Sequence, residues 1–307
     1  MNRHAGMLRF NRKLSQNKNL WNLSPLIPVI ISCSLLLYSF HYLLSYIYNL
    51  GMSATNALLI CASLSLLSCS LVVISIAFDP TSSTSRHLGL VFNLLLSGIG
   101  LSLSIIIYVI VAMQSSESAQ QTFCNKWLPF PIYFFLCSFG WTVLIAFKFR
   151  SSKSWFLPTE KSIVVPFWTV WVGAFLLVVP AIICDIVEPN IVSSSISTEN
   201  TIMCVYNHTT KTGKAIDVLT LQVPLTLTIL INLYSYSRGL WALRDSPHSV
   251  LAKNMRRAGG YLFVLLFVFI PNIIYNYYSL STSTNSKFEG YSAFAFCLSA
   301  LQVLFYF

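Results

Sequence analysis

Eight long apolar runs, none with Asp, Glu, Lys or Arg at its centre, alternate along the chain with short polar stretches. They lie at 25–50, 55–78, 87–113, 127–147, 163–184, 216–236, 259–280 and 291–307. At about 1.5 Å rise per residue, about 20 apolar residues cross the hydrocarbon core of a bilayer, so each run reads as one membrane-crossing helix. Only 9% of the chain is charged, against about 25% for an average soluble domain. The fold class is therefore all-α, a polytopic membrane helical bundle.

The stretch Cys124–Arg150 sets the direction of the bundle. It opens on a cysteine, runs without charge from Trp127 to Phe147, and closes on Lys148 and Arg150. Lys and Arg are retained on the cytoplasmic side, which places the cysteine end outside. The same rule holds for the whole layout. With the N-terminus inside, 15 of the 19 bases fall on inner segments, and only Lys126, Lys211, Lys214 and Lys287 face out. Trp21, Trp127, Trp155 and Tyr291 fall at span ends, as interfacial anchors do.

Residues 1–24 form a basic cytoplasmic segment without acids, and 25–50 read as an extra hydrophobic helix. That run is longer than the core of a cleaved signal peptide, which favours a retained signal anchor; a long cleaved leader and a misplaced start are the other readings. Residues 55–307 hold the remaining seven runs. The last, 291–307, is at the low limit for a crossing and no tail follows it, which reads as a C-terminal truncation.

Of the eight cysteines, Cys124 and Cys204 alone lie in outward positions away from span interiors. The compartment beyond the membrane is oxidising, so a disulfide joining them is expected, holding the long polar loop 185–215 over the mouth of the bundle. Asn207-His208-Thr209 in that loop is an N-glycosylation sequon. Near the same outer level Asp185, Asp217, Gln222, Asn276, Tyr277 and Tyr278 can line a ligand-binding mouth, a few polar groups in an aromatic-rich cleft. At the inner side Arg238, Arg244, Lys253, Arg256 and Arg257 form a basic loop, read equally as topology signal with membrane-lipid contact and as partner docking.

Other chemistries lack their residues. No nucleophile–base pair, metal-ligand spacing or glycine-rich phosphate loop appears, so neither an enzyme nor a metal or other cofactor is expected. His41 is the only ionisable group at mid-span, and a lone His on an apolar helix is more often a packing residue than a ligand. The +10 net charge sits in short clusters and not on a basic face interleaved with aromatics, which argues against nucleic acid.

Four stretches carry a resemblance. NALLICASLSLLSCSLVVISIAF, FCNKWLPFPIYFFLCSFGWTVLIAF, RRAGGYLFVLLFVFIPNIIYN and CLSALQVLFYF are similar to the first, third, sixth and seventh helices of G-protein-coupled receptors of the cyclic-AMP receptor-like (class E) family, with distant likeness to the secretin-like and Frizzled classes. The rhodopsin class is a poorer match, since Phe147-Lys148-Phe149-Arg150 stands where its acidic-Arg-aromatic triplet would be.

The resemblance implies a seven-transmembrane receptor-like core behind an extra N-terminal hydrophobic helix, placed in the plasma membrane. It implies an unknown extracellular ligand, cyclic AMP by family analogy only, and a heterotrimeric G protein as partner. The G-protein-facing surface would use Lys148, Arg150, Arg238, Arg244, Lys253, Arg256 and Arg257, with the sixth receptor helix flexing at Pro271. Two other readings stay open: an eight-span transporter or channel, and a non-signalling membrane adaptor.

Overall fold

The computed structural model describes residues 54–78, 86–114, 117–150, 164–187, 192–196, 202–206 and 210–242, with Leu266, Phe269, Ile270, Ile273 and Ile274 in addition. The basic segment 1–24, the run 25–50 and the eighth run lie outside the described residues, and the total number of crossings with them. The elements are α1 (Ala54–Phe78), α2 (Arg86–Gln114), α3 (Glu117–Trp127), α4 (Pro129–Arg150), α5 (Val164–Val187), β1 (Val192–Ile196), β2 (Ile202–Tyr206) and α6 (Lys211–Ala242). Five helical stretches among the described residues are long and apolar enough to cross a membrane: α1, α2, α3 running into α4, α5 and α6. The chain is a helical bundle compatible with a multi-pass membrane protein.

Helix α4 is the hub. It packs against α2, α5 and α6, while α1 packs on α2. A helix apolar on all sides belongs in an interior, and α4 buries Ile132, Leu136, Cys137, Phe139, Trp141 and Ala146. The rings of Phe135 and Phe139 meet Phe269 with centroids 6.2 and 4.8 Å apart, so part of the seventh apolar run also packs on the hub.

Lipid tails are as apolar as leucine, so helices in hydrocarbon associate through close packing, and small residues make that possible. Three glycines do so here. The Phe134 ring of α4 fills the place a Cβ would take at Gly100 of α2. A Cβ at Gly140 of α4 would lie 2.8 Å from Val170 of α5, and one at Gly239 of α6 would lie 2.6 Å from the Phe149 ring. On the outside of the bundle Leu64, Leu67 and Leu71 of α1 and Trp168, Phe175 and Leu176 of α5 are exposed, a surface suited to hydrocarbon.

Two departures from the sequence reading arise beside prolines. The stretch 124–150 reads as one crossing, and it is one, Thr122–Arg150, but its helix is interrupted by a turn at Leu128. The position before a proline is disfavoured in the α conformation, and Pro129 then takes the first helical position, where its missing N–H costs nothing. The polar segment before it is helical from Glu117.

In α6 the turn Val218–Gln222 is a π-helix in which the Val223 N–H reaches the Val218 carbonyl, five residues back. Pro224 follows directly. Its ring crowds the Thr220 carbonyl and it offers no N–H, so the preceding turn widens.

The loop 185–215 contains an antiparallel hairpin that the sequence reading lacks. β1 pairs with β2 from Val192↔Tyr206 to Ile196↔Ile202, with Ser194↔Cys204 at its centre. The β-branched and aromatic residues of Ile202-Met203-Cys204-Val205-Tyr206 suit a strand.

Candidate binding site

The hairpin is fixed to one end of the bundle by a disulfide. Cys124 of α3 and Cys204 of β2, 80 residues apart in the chain, are bonded with their Cα atoms 5.3 Å apart. β1 lies on α3 and β2 on the start of α6, so the hairpin spans two sides of the bundle. Tyr108 of α2, itself buried, hydrogen-bonds the backbone of Cys204. The Trp127 indole N–H donates to the Ser104 carbonyl of α2 at 3.0 Å, and its ring stacks between Phe123 and Phe130. At the first turn of α6, the Thr210 hydroxyl accepts from the Gly213 N–H at 3.0 Å, an N-cap that starts the helix against the hairpin.

Beneath this cap sits a buried polar pair. Asp217 and Gln222 are 3% and 2% exposed, and the Gln222 amide donates to the Asp217 carboxylate at 3.4 Å. In an ordinary α-helix residues five apart point about 140° away from each other. The wide turn stacks them on one face instead. Among the described residues the Gln222 carbonyl oxygen and the Thr226 hydroxyl, one turn below, have no hydrogen-bond partner. A buried acceptor left unpaired costs about 1–3 kcal/mol, so this face of α6 is suited to a ligand that supplies donors.

The opposite end of α4 is basic. Lys148 and Arg150 stand in its last turn, and the Arg150 guanidinium carbon lies 4.9 Å from the centre of the Tyr234 ring of α6. Phe149 meets Tyr236 at 5.3 Å between ring centres, beside Gly239. Arg238 is exposed one turn beyond Tyr234.

Of the residues singled out from the sequence, the structure brings together Cys124 with Cys204 and Asp217 with Gln222, and sets Arg150 over Tyr234, one turn before Arg238. Asp185 belongs to the last turns of α5. Asn207, Asn276, Tyr277, Tyr278, Arg244, Lys253, Arg256, Arg257 and the hinge at Pro271 lie outside the described residues. Among the described residues no group of three or more His, Cys, Asp or Glu is placed to hold a metal.

Sequence reasoning missed Tyr108, Ser104 and Tyr234, whose roles depend on neighbours from other helices. It also missed the wide turn, for which Pro224 was the signal. Neither protein-family models nor curated proteins match this sequence.

Proposed function

We propose that the chain is a seven-transmembrane receptor that binds an extracellular ligand beneath the hairpin and signals through a heterotrimeric G protein in the plasma membrane. The observation that carries this reading is the Cys124–Cys204 bond, which seats a hairpin over the buried Asp217–Gln222 pair at one end of the hub helix. By the retention of bases inside, that end faces out and the Arg150 end faces the cytoplasm. A ligand that fits the bundle better in an open than in a closed arrangement shifts the population toward the open one. The sixth receptor helix, bending at Pro271, would then uncover an inner cleft bordered by the segments 148–161 and 238–257.

Guanine-nucleotide exchange on a purified heterotrimeric G protein tests the reading, with the full chain in lipid nanodiscs, alone and with cyclic AMP as the first probe. Exchange faster than with empty nanodiscs supports it. Exchange equal to that of empty nanodiscs under both conditions overturns it.

A further inference from the structure

The exposed stripe of α6 changes its chemistry part-way along. Val223, Leu227, Leu230, Tyr234, Arg238 and Trp241 succeed one another at spacings of three and four, which puts them on one side of the helix, and all are exposed. A stripe whose apolar half is exposed faces hydrocarbon. Its continuation therefore faces the level where hydrocarbon gives way to headgroups, and Tyr, Arg and Trp are the residues that level favours.

Arg150 arrives at the same place from α4, its guanidinium over the Tyr234 ring, while Arg238 follows from α6. The acids among the described residues, Glu117, Asp185 and Asp217, belong to the opposite end of the bundle. One guanidinium thus lies over an exposed ring and a second arginine follows one turn along the same stripe, with no described carboxylate near them.

We infer that Arg150, Tyr234 and Arg238 form a binding site for the headgroup phosphate of an anionic phospholipid, whose acyl chains lie along Leu230 and Leu227. A planar guanidinium matches phosphate oxygens two at a time and stays charged beside an aromatic ring. The stripe faces sideways into the bilayer and not across the mouth of the bundle, which favours a lipid over a soluble partner. The expected orientation puts this end in the cytoplasmic leaflet, where anionic lipids concentrate. The two arginines then belong to the lipid contact, and the docking surface proposed above is left to Lys148 and the loop beyond Arg238. The inference stands independently of the receptor reading.

The test uses the full chain in neutral detergent, stripped of native lipid and incubated with equal amounts of phosphatidylcholine and phosphatidylinositol phosphate, with retained lipid read by native mass spectrometry. Wild type retains the anionic lipid preferentially. Arg238→Gln and Arg150→Gln each lower that retention about fivefold, as expected for one base at a lipid surface, while phosphatidylcholine is unchanged. Arg238 stands on the lipid-facing stripe, so Arg238→Gln carries the test alone if the Arg150 variant fails to fold. Retention equal to wild type in Arg238→Gln overturns the inference. So does full displacement of the lipid by inorganic phosphate at equal concentration, which would make this an anion site open to solution.

Discussion

The two ends of the α4–α6 pair are held by different physics. At the hairpin end the segments leading into them, α3 and β2, are joined covalently, Thr210 caps the start of α6, and the Trp127 and Tyr108 side chains hydrogen-bond the backbone of Ser104 and Cys204. At the basic end the two helices themselves meet through Phe149 on Tyr236, Arg150 over Tyr234, and the bare backbone of Gly239. Ring contacts of this kind are worth about 0.5–1.5 kcal/mol each. A disulfide closing a long loop is worth about 2–5 kcal/mol. Relative motion of the helices therefore concentrates at the basic end, with the hairpin end as pivot.

Four substitutions break or sharpen this contrast. Cys204→Ser removes the covalent tie and lowers stability by about 2–5 kcal/mol, read from thermal unfolding in detergent. It also makes the hairpin end the faster to exchange its amide hydrogens, reversing the order of the two ends. Gly239→Leu pushes a side chain into the Phe149 ring and costs about 1–3 kcal/mol by the same measurement, as overpacking does. Exchange then rises at the basic end alone.

Gln222→Ala removes the amide that donates to the buried Asp217 carboxylate, at a cost of about 1–3 kcal/mol. Its increased exchange is confined to the first turns of α6. Tyr234→Leu takes away the ring beneath Arg150, an exposed contact worth about 0.5–1 kcal/mol. Equal exchange at the two ends of wild type would contradict the contrast itself.

The apolar runs were legible because a crossing helix needs only length and the absence of charge. α2, expected over 87–113, covers Arg86–Gln114. The fifth run, expected over 163–184, is helical over Val164–Val187. The cysteine pair was legible too, since only two of eight stood outside span interiors on the same side.

What escaped was set by prolines and by neighbours. Pro129 sets a turn at Leu128, at the outer end of the apolar run, and hydropathy does not register a missing N–H. Pro224 widens the turn before it, so Asp217 and Gln222 meet although an ordinary helix would hold them apart. The hairpin strands have five residues each, too short to stand out within a polar loop. Trp127 reads as an anchor at a membrane interface, and its bond to Ser104 depends on how α2 approaches.

The wide turn also leaves α6 with a residue to spare. Excising Leu219 would let the turn close to ordinary α-helix, and everything from Pro224 onward would keep its heading. The same excision at Leu233 would swing the rest of the helix by about 100° and pull Gly239 away from Phe149. A chain shortened by one residue is thus tolerable at one place in this helix and ruinous a few turns later, and Asp217 and Gln222, four apart after the first excision, would still share a face.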